Sequence, residues 1–350
     1  MGKVICFDLE GPLSPQDNAY EVMSLIRNGD KIFEVLSFYD DMLTLERRDE
    51  YEPGDTLALI VPFLTYHGIK DDDIKRVSNQ AKIVGGASEL VSILKDDGFN
   101  VHIISTSYEQ HAHNIGEKIG VEKGDIACTR LDLEGLNDKF KKSDLESIEE
   151  LENDILGFKL PEDQSRIVER LDRFFYDELK KSVDIFAEVR VVGGERKVEA
   201  MLKVASDHET DLKDMIVVGD SITDYKMLGK VKEAGGIAVV FNGNEYAVPY
   251  ANIGLATVDM RFLELLTNFN TDKALKLVRV WEEERESYMR SPEDIPGATP
   301  ELIELSATLS IESFPYFHTL ERVSDSKVEE VVKIHKVFRK TVRGEAAKLG

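Results

Sequence analysis

Acidic residues follow two apolar segments of this sequence, at positions where carboxylates are costly unless they have a function. Asp8 and Glu10 come directly after the apolar run 4–7. Asp220 and Asp224 follow a second such run. If both runs are strands of a parallel sheet, their carboxyl ends meet at one edge, where open α/β sheets bind ligands. Converging carboxylates repel one another unless a cation lies among them, and oxygen ligands suit Mg²⁺.

A third apolar run, residues 101–105, ends in Ser105, and two more hydroxyl side chains, Thr106 and Ser107, follow it directly. A helical segment comes next, and hydroxyls at a helix N-terminus bind anions. An anion beside a carboxylate that holds magnesium indicates a phosphate group. The three runs together therefore predict a site for a phosphorylated ligand.

The elements that must position these residues are short, continuous apolar runs separated by helical segments. This pattern is typical of a doubly wound parallel α/β sheet, whose strands are buried on both faces. We expect four clear strands and a plausible fifth, at residues 4–7, 101–105, 215–218, 236–241 and 126–129.

Long helical segments interrupt and follow this core. We expect a core formed by residues 1–14, 83–130 and 190–265. The remainder is predicted to be a helical cap, a second helical insertion and a C-terminal extension that is helical to its end, at residues 15–82, 131–189 and 266–350. Ser14 is the expected N-cap of the first cap helix.

Four short motifs, in order, resemble those of the haloacid dehalogenase superfamily, most of whose members are magnesium-dependent phosphatases. The segment DLEG at 8–11 is similar to the first motif, an aspartate nucleophile followed two residues later by an aspartate acid/base. Ser105 matches the second motif and Lys197 the third, while GDSITD at 219–224 matches the fourth. The resemblance implies a Rossmann-like core, and the chain is also similar to predicted archaeal phosphatases of this superfamily.

The resemblance implies a role for each matching residue. Asp8 attacks phosphorus and forms an aspartyl-phosphate, and Glu10 moves the proton of the leaving oxygen and then of water. Ser105 and Lys197 hold the phosphoryl oxygens. The implied Mg²⁺ ligands are Asp8, the backbone carbonyl of Glu10, Asp220 and Asp224, the last directly or through water.

Three positions leave alternatives open. The family has aspartate where this chain has Glu10, whose extra methylene either moves the acid/base group or removes its function. Arg196 is a rival for the role of Lys197, and Asp224 could be an acid on a helix surface. His111 and His113 point to different faces of one helix, so we expect surface positions rather than a metal site.

The net charge restricts the possible binding partners, and the cysteine content indicates the cellular compartment. The net charge of −23 disfavours binding to nucleic acid or to an anionic membrane, because both require basic patches. The sequence has no apolar stretch long enough for a transmembrane helix. The chain has only two cysteines, which fits a reduced, cytoplasmic protein without disulfides. The sequence does not indicate an oligomeric state.

These observations favour a magnesium-dependent phosphatase that hydrolyses a small phosphorylated metabolite, since a cap of this size leaves little room for a protein substrate. One alternative is a non-catalytic or weakly active subunit or regulator of a larger assembly, which Glu10 and the long C-terminal extension suggest. Another is a phosphotransferase or C–P hydrolase of the same superfamily.

Overall fold

The computed structural model describes residues 3–348 and is built around one seven-stranded sheet. The strand order is β3-β2-β1-β4-β5-β6-β7, and every neighbouring pair is parallel except β6 and β7. The strands β1 to β7 are Lys3–Phe7, Phe99–Tyr108, Ile126–Thr129, Met215–Gly219, Ile237–Phe241, Ile253–Ala256 and Tyr316–Thr319. The predicted α/β class and doubly wound parallel sheet are confirmed.

The helices belong to four parts of the chain. Core helices α6, α7, α12 and α13 are Ala87–Asp96, Glu109–Ile119, Glu195–Asp207 and Tyr225–Ala234. Cap helices α1 to α5 are Asn18–Met23, Gly29–Leu45, Thr56–Leu59, Val61–Tyr66 and Asp71–Asn79. The second insertion contains α8 to α11, Leu133–Asn137, Lys142–Gly157, Gln164–Asp172 and Ile185–Glu188. The C-terminal extension contains α14 to α17, Glu264–Thr267, Thr271–Arg290, Pro300–Thr308 and Asp325–Arg343.

The sheet has an apolar layer on each face, as continuous apolar strands require. Side chains alternate along β1, so that Ile5 and Phe7 join the core on one face while Val4 and Cys6 join the core on the other. This burial on both sides leaves the strand ends as the places where polar groups of the sheet can meet a ligand.

The two insertions fold together. Apolar side chains of the cap and of the second insertion form one continuous core, which includes Tyr39 from α2 and Phe175 after α10. Asp172 ties the two segments further, because it accepts hydrogen bonds from Tyr39 and Arg48 of the cap. The sequence predicts two separate helical insertions, whereas their shared core makes them a single helical unit.

The C-terminal extension differs from the prediction that it is helical to its end. Residues 316–319 form β7, which pairs antiparallel with β6 at the sheet edge. Trp281 of α15 is buried in the core of one sheet face and stacks on Phe314. The extension is therefore part of the core, and α17 packs along β6.

Two local details also differ from the sequence prediction. Asp17, rather than Ser14, is the N-cap of α1, because its carboxylate accepts a hydrogen bond from the backbone N–H of Tyr20 at 2.9 Å. The strand β6, Ile253–Ala256, was missed because it is short. Among residues 3–348, no helix is both long enough and apolar enough to cross a bilayer.

Candidate active site

The sheet register places the two acidic motifs side by side. Phe7 lies opposite Val218 in the parallel pair β1–β4, so Asp8 and Asp220 follow adjacent strands at nearly the same level. The backbone N–H of Asp8 donates to the carbonyl of Val218 at 2.8 Å, which continues the ladder past the strand end. Carboxylate oxygens of Asp8, Asp220 and Asp224 lie within 4.8 Å of one another.

Lys197 is fully buried between two of these carboxylates. Its Nζ donates to Asp8 Oδ1 at 2.7 Å and to Asp224 Oδ1 at 2.6 Å. Lys197 lies in the first turn of α12, which follows the left-handed Gly194 (φ 51°). The rival Arg196 points elsewhere and forms a bidentate pair with Asp55 of the cap. The structure therefore brings Lys197, and not Arg196, to the carboxylate cluster.

Asp224 holds the side chain of Lys197 and the loop after β4 by hydrogen bonds. One of its oxygens accepts from Lys197, and Oδ2 accepts from the backbone N–H groups of Asp220 at 3.0 Å and Ser221 at 3.1 Å. Asp224 is completely buried, not a surface acid. Its carboxylate therefore holds both the lysine and the loop after β4 in place.

The two carboxylate oxygens of Asp220 have different surroundings. Oδ2 is paired with Arg339 and, at 3.1 Å, with Arg343, and both arginines come from α17. Oδ1 is buried and has no hydrogen-bond partner within the described residues. Gly11 passes so close that a Cβ there would lie 2.2 Å from Asp220 Oδ2, and its φ of 114° is also left-handed. Only glycine therefore fits at this position.

These residues fit a magnesium ion. A buried carboxylate oxygen without a donor is costly, and Asp220 Oδ1 is such an oxygen. Asp8 contributes a second carboxylate at the same edge, and hard oxygen ligands of this kind suit Mg²⁺. Both oxygens of Asp224 already accept hydrogen bonds, so contact through water suits it better than direct coordination.

Burial sets the electrostatics of the cluster. Desolvation and the nearby Asp224 raise the pKa of Asp8 to about 7, although Lys197 opposes this shift. Burial acts to lower the pKa of Lys197, but the carboxylates of Asp224 and Asp8 outweigh it and raise that pKa. The cluster thus keeps its lysine charged.

Glu10 faces the same cavity from the loop after β1. Its Oε1 accepts from the backbone N–H of Asn18 at 3.0 Å, so the start of α1 fixes the longer side chain. Desolvation, with a smaller contribution from the charge of Asp17, raises the pKa of Glu10 to about 8. A carboxyl group with such a pKa is protonated at neutral pH, as a general acid must be.

His111 contradicts the expectation of a surface position. It is fully buried, and its Nε2 lies 3.8 Å from Glu10 Oε1, whereas His113 is only partly buried. Burial lowers the pKa of His111 to about 3, so the ring is neutral. The prediction was wrong because helix α7 is covered on this face by α5 of the cap, which the local sequence does not reveal.

The hydrogen bonds around His111 identify its tautomer. Asn114 donates its amide to the carbonyl and the Oγ of Ser78, so the hydroxyl proton of Ser78 is left for His111 Nδ1 at 2.9 Å. A neutral ring that accepts at Nδ1 carries its proton on Nε2. In this tautomer the Nε2–H of His111 has no hydrogen-bond partner among the described residues, and Glu10 Oε1 lies 3.8 Å away, beyond hydrogen-bond distance.

The end of β2 places two hydroxyls differently. Ser105 is fully buried, and its Oγ accepts from the backbone N–H of Ser107 at 3.0 Å. Thr106 lines the cavity beside Asp8 and Glu10, and its Oγ1 has no partner among the described residues. Of the two, Thr106 is the hydroxyl that faces the cavity.

The carboxylates open into a cavity of about 80 Å³ between the core and the cap. Its floor includes Asp8, Glu10 and Thr106, its cap side includes Phe33, and Arg343 of α17 lines it as well. The cavity therefore joins the carboxylate cluster to the cap and to α17.

Sequence reasoning missed Arg339 and Arg343. They are four residues apart and lie on the face of α17 that also carries the buried Val331 and His335. The available signal is a pair of cations on the apolar stripe of a helix, since a buried arginine needs a carboxylate partner. That signal does not name the partner, which is 119 residues away for Arg339.

Comparisons with known proteins agree with this architecture. No family model and no curated protein matches the sequence. Among solved structures, gene product AF1437 from Archaeoglobus fulgidus is 29% identical over 100% of this chain and 99% of its own, with a TM-score of 0.76. Phosphoserine phosphatase in its apo form is 16% identical over 75% of this chain and 98% of its own, with a TM-score of 0.49. A structure of the phospho-aspartyl intermediate analogue of phosphoserine phosphatase is 17% identical over 75% of this chain and 97% of its own, with a TM-score of 0.49.

The full-length match to an archaeal protein includes both insertions and the C-terminal extension. Its source agrees with the similarity to archaeal proteins that the sequence suggested. Within the core, the first, second and fourth motifs lie at the ends of β1, β2 and β4, and Lys197 lies in the first turn of α12. The chain therefore has the Rossmann-like, doubly wound α/β fold that the resemblance predicted.

Proposed function

We propose that this protein is a magnesium-dependent phosphatase that hydrolyses a small phosphorylated metabolite through an aspartyl-phosphate on Asp8. The observation that supports this most is the buried cluster of Asp8, Lys197, Asp220 and Asp224 at the floor of a cavity. Buried carboxylates are expensive to maintain, and here they surround one lysine and leave one oxygen of Asp220 without a donor among residues 3–348.

In this mechanism Asp8 attacks phosphorus and displaces the leaving oxygen, which splits the hydrolysis into two steps. Glu10 gives its proton to the leaving oxygen and then takes one from the attacking water. Its anchoring by Asn18 and its raised pKa support the role of general acid despite the longer side chain. Lys197 and a hydroxyl at the end of β2, Ser105 or Thr106, bind the phosphoryl oxygens.

Magnesium would be held by Asp8, Asp220 Oδ1 and the backbone carbonyl of Glu10, with Asp224 reaching it through water. When bound, the ion supplies positive charge between the nucleophile and the phosphoryl group. Lys197 screens Asp8 from Asp224 in the same way, and the helical cap excludes water from the cavity.

A panel of small phosphorylated compounds, assayed with Mg²⁺, tests the proposal. We expect release of phosphate from at least one class, loss of that activity in Asp8→Asn, and no loss in Asp272→Asn, which changes an exposed aspartate of α15. Quenched wild-type enzyme should carry phosphate that hydroxylamine removes, as an acyl phosphate does.

Hydrolysis of no member of the panel would contradict the proposal. It would favour the alternative of a non-catalytic subunit, for which the arginines paired with Asp220 are the structural argument. Retained activity in Asp8→Asn would show that the nucleophile is another residue. Transfer of the phosphoryl group to an added alcohol in preference to water would indicate a phosphotransferase.

A further inference from the structure

The C-terminal helix α17 places two arginines in the candidate active site. Arg339 and Arg343 are one helical turn apart and point in the same direction. The side chains of Arg339 and Arg343 are 2% and 5% exposed, and both pair with Oδ2 of Asp220, which is 1% exposed. Neither cation can be a solvated surface charge, so both contribute to the electrostatics of the site.

Arg343 also borders the cavity in which the substrate would bind. Its Nε donates to the backbone carbonyl of Pro15 at 3.2 Å, which fixes the guanidinium between the start of the cap and the carboxylate cluster. The second oxygen of Asp220 stays free of hydrogen bonds within the described residues. The arginines therefore hold Asp220 without covering the oxygen that suits a metal.

The formal charges of the cluster balance. The carboxylates of Asp8, Asp220 and Asp224 are matched by the cations of Lys197, Arg339 and Arg343, and every member is buried or nearly so. A divalent cation alone then gives this group of six side chains an excess of two positive charges, which costs free energy where the local dielectric is low. A phosphate dianion that binds beside the cation removes this excess.

We propose that Arg339 and Arg343 couple the binding of the metal to the binding of phosphate, so that the site holds a divalent cation weakly alone and tightly together with a phosphate dianion. This inference rests on the proposed function, because it takes the ligands of that site as its starting point. Coupling of this kind is reciprocal, so the metal strengthens phosphate binding by the same factor.

Binding of Mn²⁺, measured by calorimetry with and without saturating inorganic phosphate, tests the inference without turnover. For the full-length wild type we expect phosphate to raise the affinity for Mn²⁺ by about tenfold or more. Arg343→Gln should bind Mn²⁺ alone about tenfold more tightly than the wild type, with a gain from phosphate below about threefold. Arg343 is chosen over Arg339 because it lies at the cavity edge, where a substitution disturbs packing less.

Two further variants separate charge from structure. Arg343→Lys keeps the positive charge and should keep most of the coupling. Lys340→Gln removes an exposed cation from the same helix and should leave both Mn²⁺ affinities unchanged.

Three results would overturn the inference: tight Mn²⁺ binding by the wild type without phosphate, an unchanged gain from phosphate in Arg343→Gln, or no Mn²⁺ binding under either condition. A wild type that shows the coupling but hydrolyses nothing would contradict the proposed function and leave the inference intact. An active enzyme whose affinity for Mn²⁺ is not raised by phosphate would support the proposed function and contradict the inference.

Discussion

Lys197 Nζ lies 2.7 Å from Asp8 Oδ1, although 189 residues separate the two in the chain. The same amine donates to Asp224, so one cation neutralises two buried carboxylates. Lys197→Met leaves two buried carboxylates without the cation between them, and we expect the free energy of unfolding to fall by about 3 kcal/mol. Urea denaturation in the absence of Mg²⁺ measures this change.

A double substitution provides the control for this prediction. Lys197→Met combined with Asp224→Asn removes a negative and a positive charge together, so it should be less unstable than Lys197→Met alone. Equal urea midpoints for the wild type and Lys197→Met would show that the cluster contributes nothing to stability.

Glu10 carries the clearest departure from the family pattern. Glu10→Gln removes the acidic proton that Glu10 gives to the leaving oxygen in the proposed mechanism, and kcat should fall on the order of 10²-fold or more. We also expect Glu10→Asp to lower kcat, because a shorter side chain loses the hydrogen bond from the Asn18 N–H. Steady-state kinetics on the best substrate of the panel measure both. A faster Glu10→Asp enzyme would mean that the longer side chain is a handicap.

His111 Nε2 is buried without a hydrogen-bond partner among the described residues and lies 3.8 Å from Glu10 Oε1, so we predict that this ring orients the carboxyl group of Glu10. His111→Phe keeps the bulk but removes the donor, so kcat should fall about tenfold while KM changes little. His113→Phe alters the neighbouring face of the same helix and is the matched control. A fall in KM and kcat together, or equal effects at the two positions, would argue against an orienting role.

Ser105 and Thr106 give different predictions at the end of β2. Thr106→Val removes a hydroxyl that faces the cavity, so we expect KM to rise about tenfold. Ser105→Ala removes the acceptor for the Ser107 N–H and should lower the thermal midpoint more than KM. The opposite pattern in kinetics and thermal melting would assign the phosphate contact to Ser105.

His335 of α17 makes the stability of the C-terminal helix sensitive to acid. Its Nδ1 accepts from the backbone N–H of Gly243 at 3.0 Å, and burial lowers its pKa well below 6.5. The folded state therefore resists protonation, so the stabilising contribution is present above pH ~6.5 and is lost as the pH falls below that value. The loss approaches about 1.4 kcal/mol per pH unit for this one proton.

Urea midpoints between pH 5 and pH 8 test this dependence. His335→Gln has no proton to gain, so its stability should vary less steeply with pH than that of the wild type. His67→Gln, which changes a partly exposed histidine of the cap, should keep the wild-type slope. Equal slopes for the wild type and His335→Gln would contradict the prediction.

The sequence determined five of the seven strands and the convergence of the acidic residues, and both for local reasons. Continuous apolar runs of four to six residues are buried strands, and parallel strands bring their carboxyl ends to one edge. This is why Asp8, Asp220 and Asp224 could be placed together before the structure was known. The position of Lys197 came from motif order alone, and only the separate pairing of Arg196 with Asp55 distinguished the two cations.

Tertiary structure alone decided which helix faces meet the site. His111 became a neighbour of Glu10 because α5 covers that side of α7, and the two insertions share one core. Arg343 lies beside Asp220 across 123 residues because β7 and α15 carry the chain back along the sheet edge. Helical spacing shows that residues share a face but not which partner that face meets, since the partner is chosen by packing over long sequence separations.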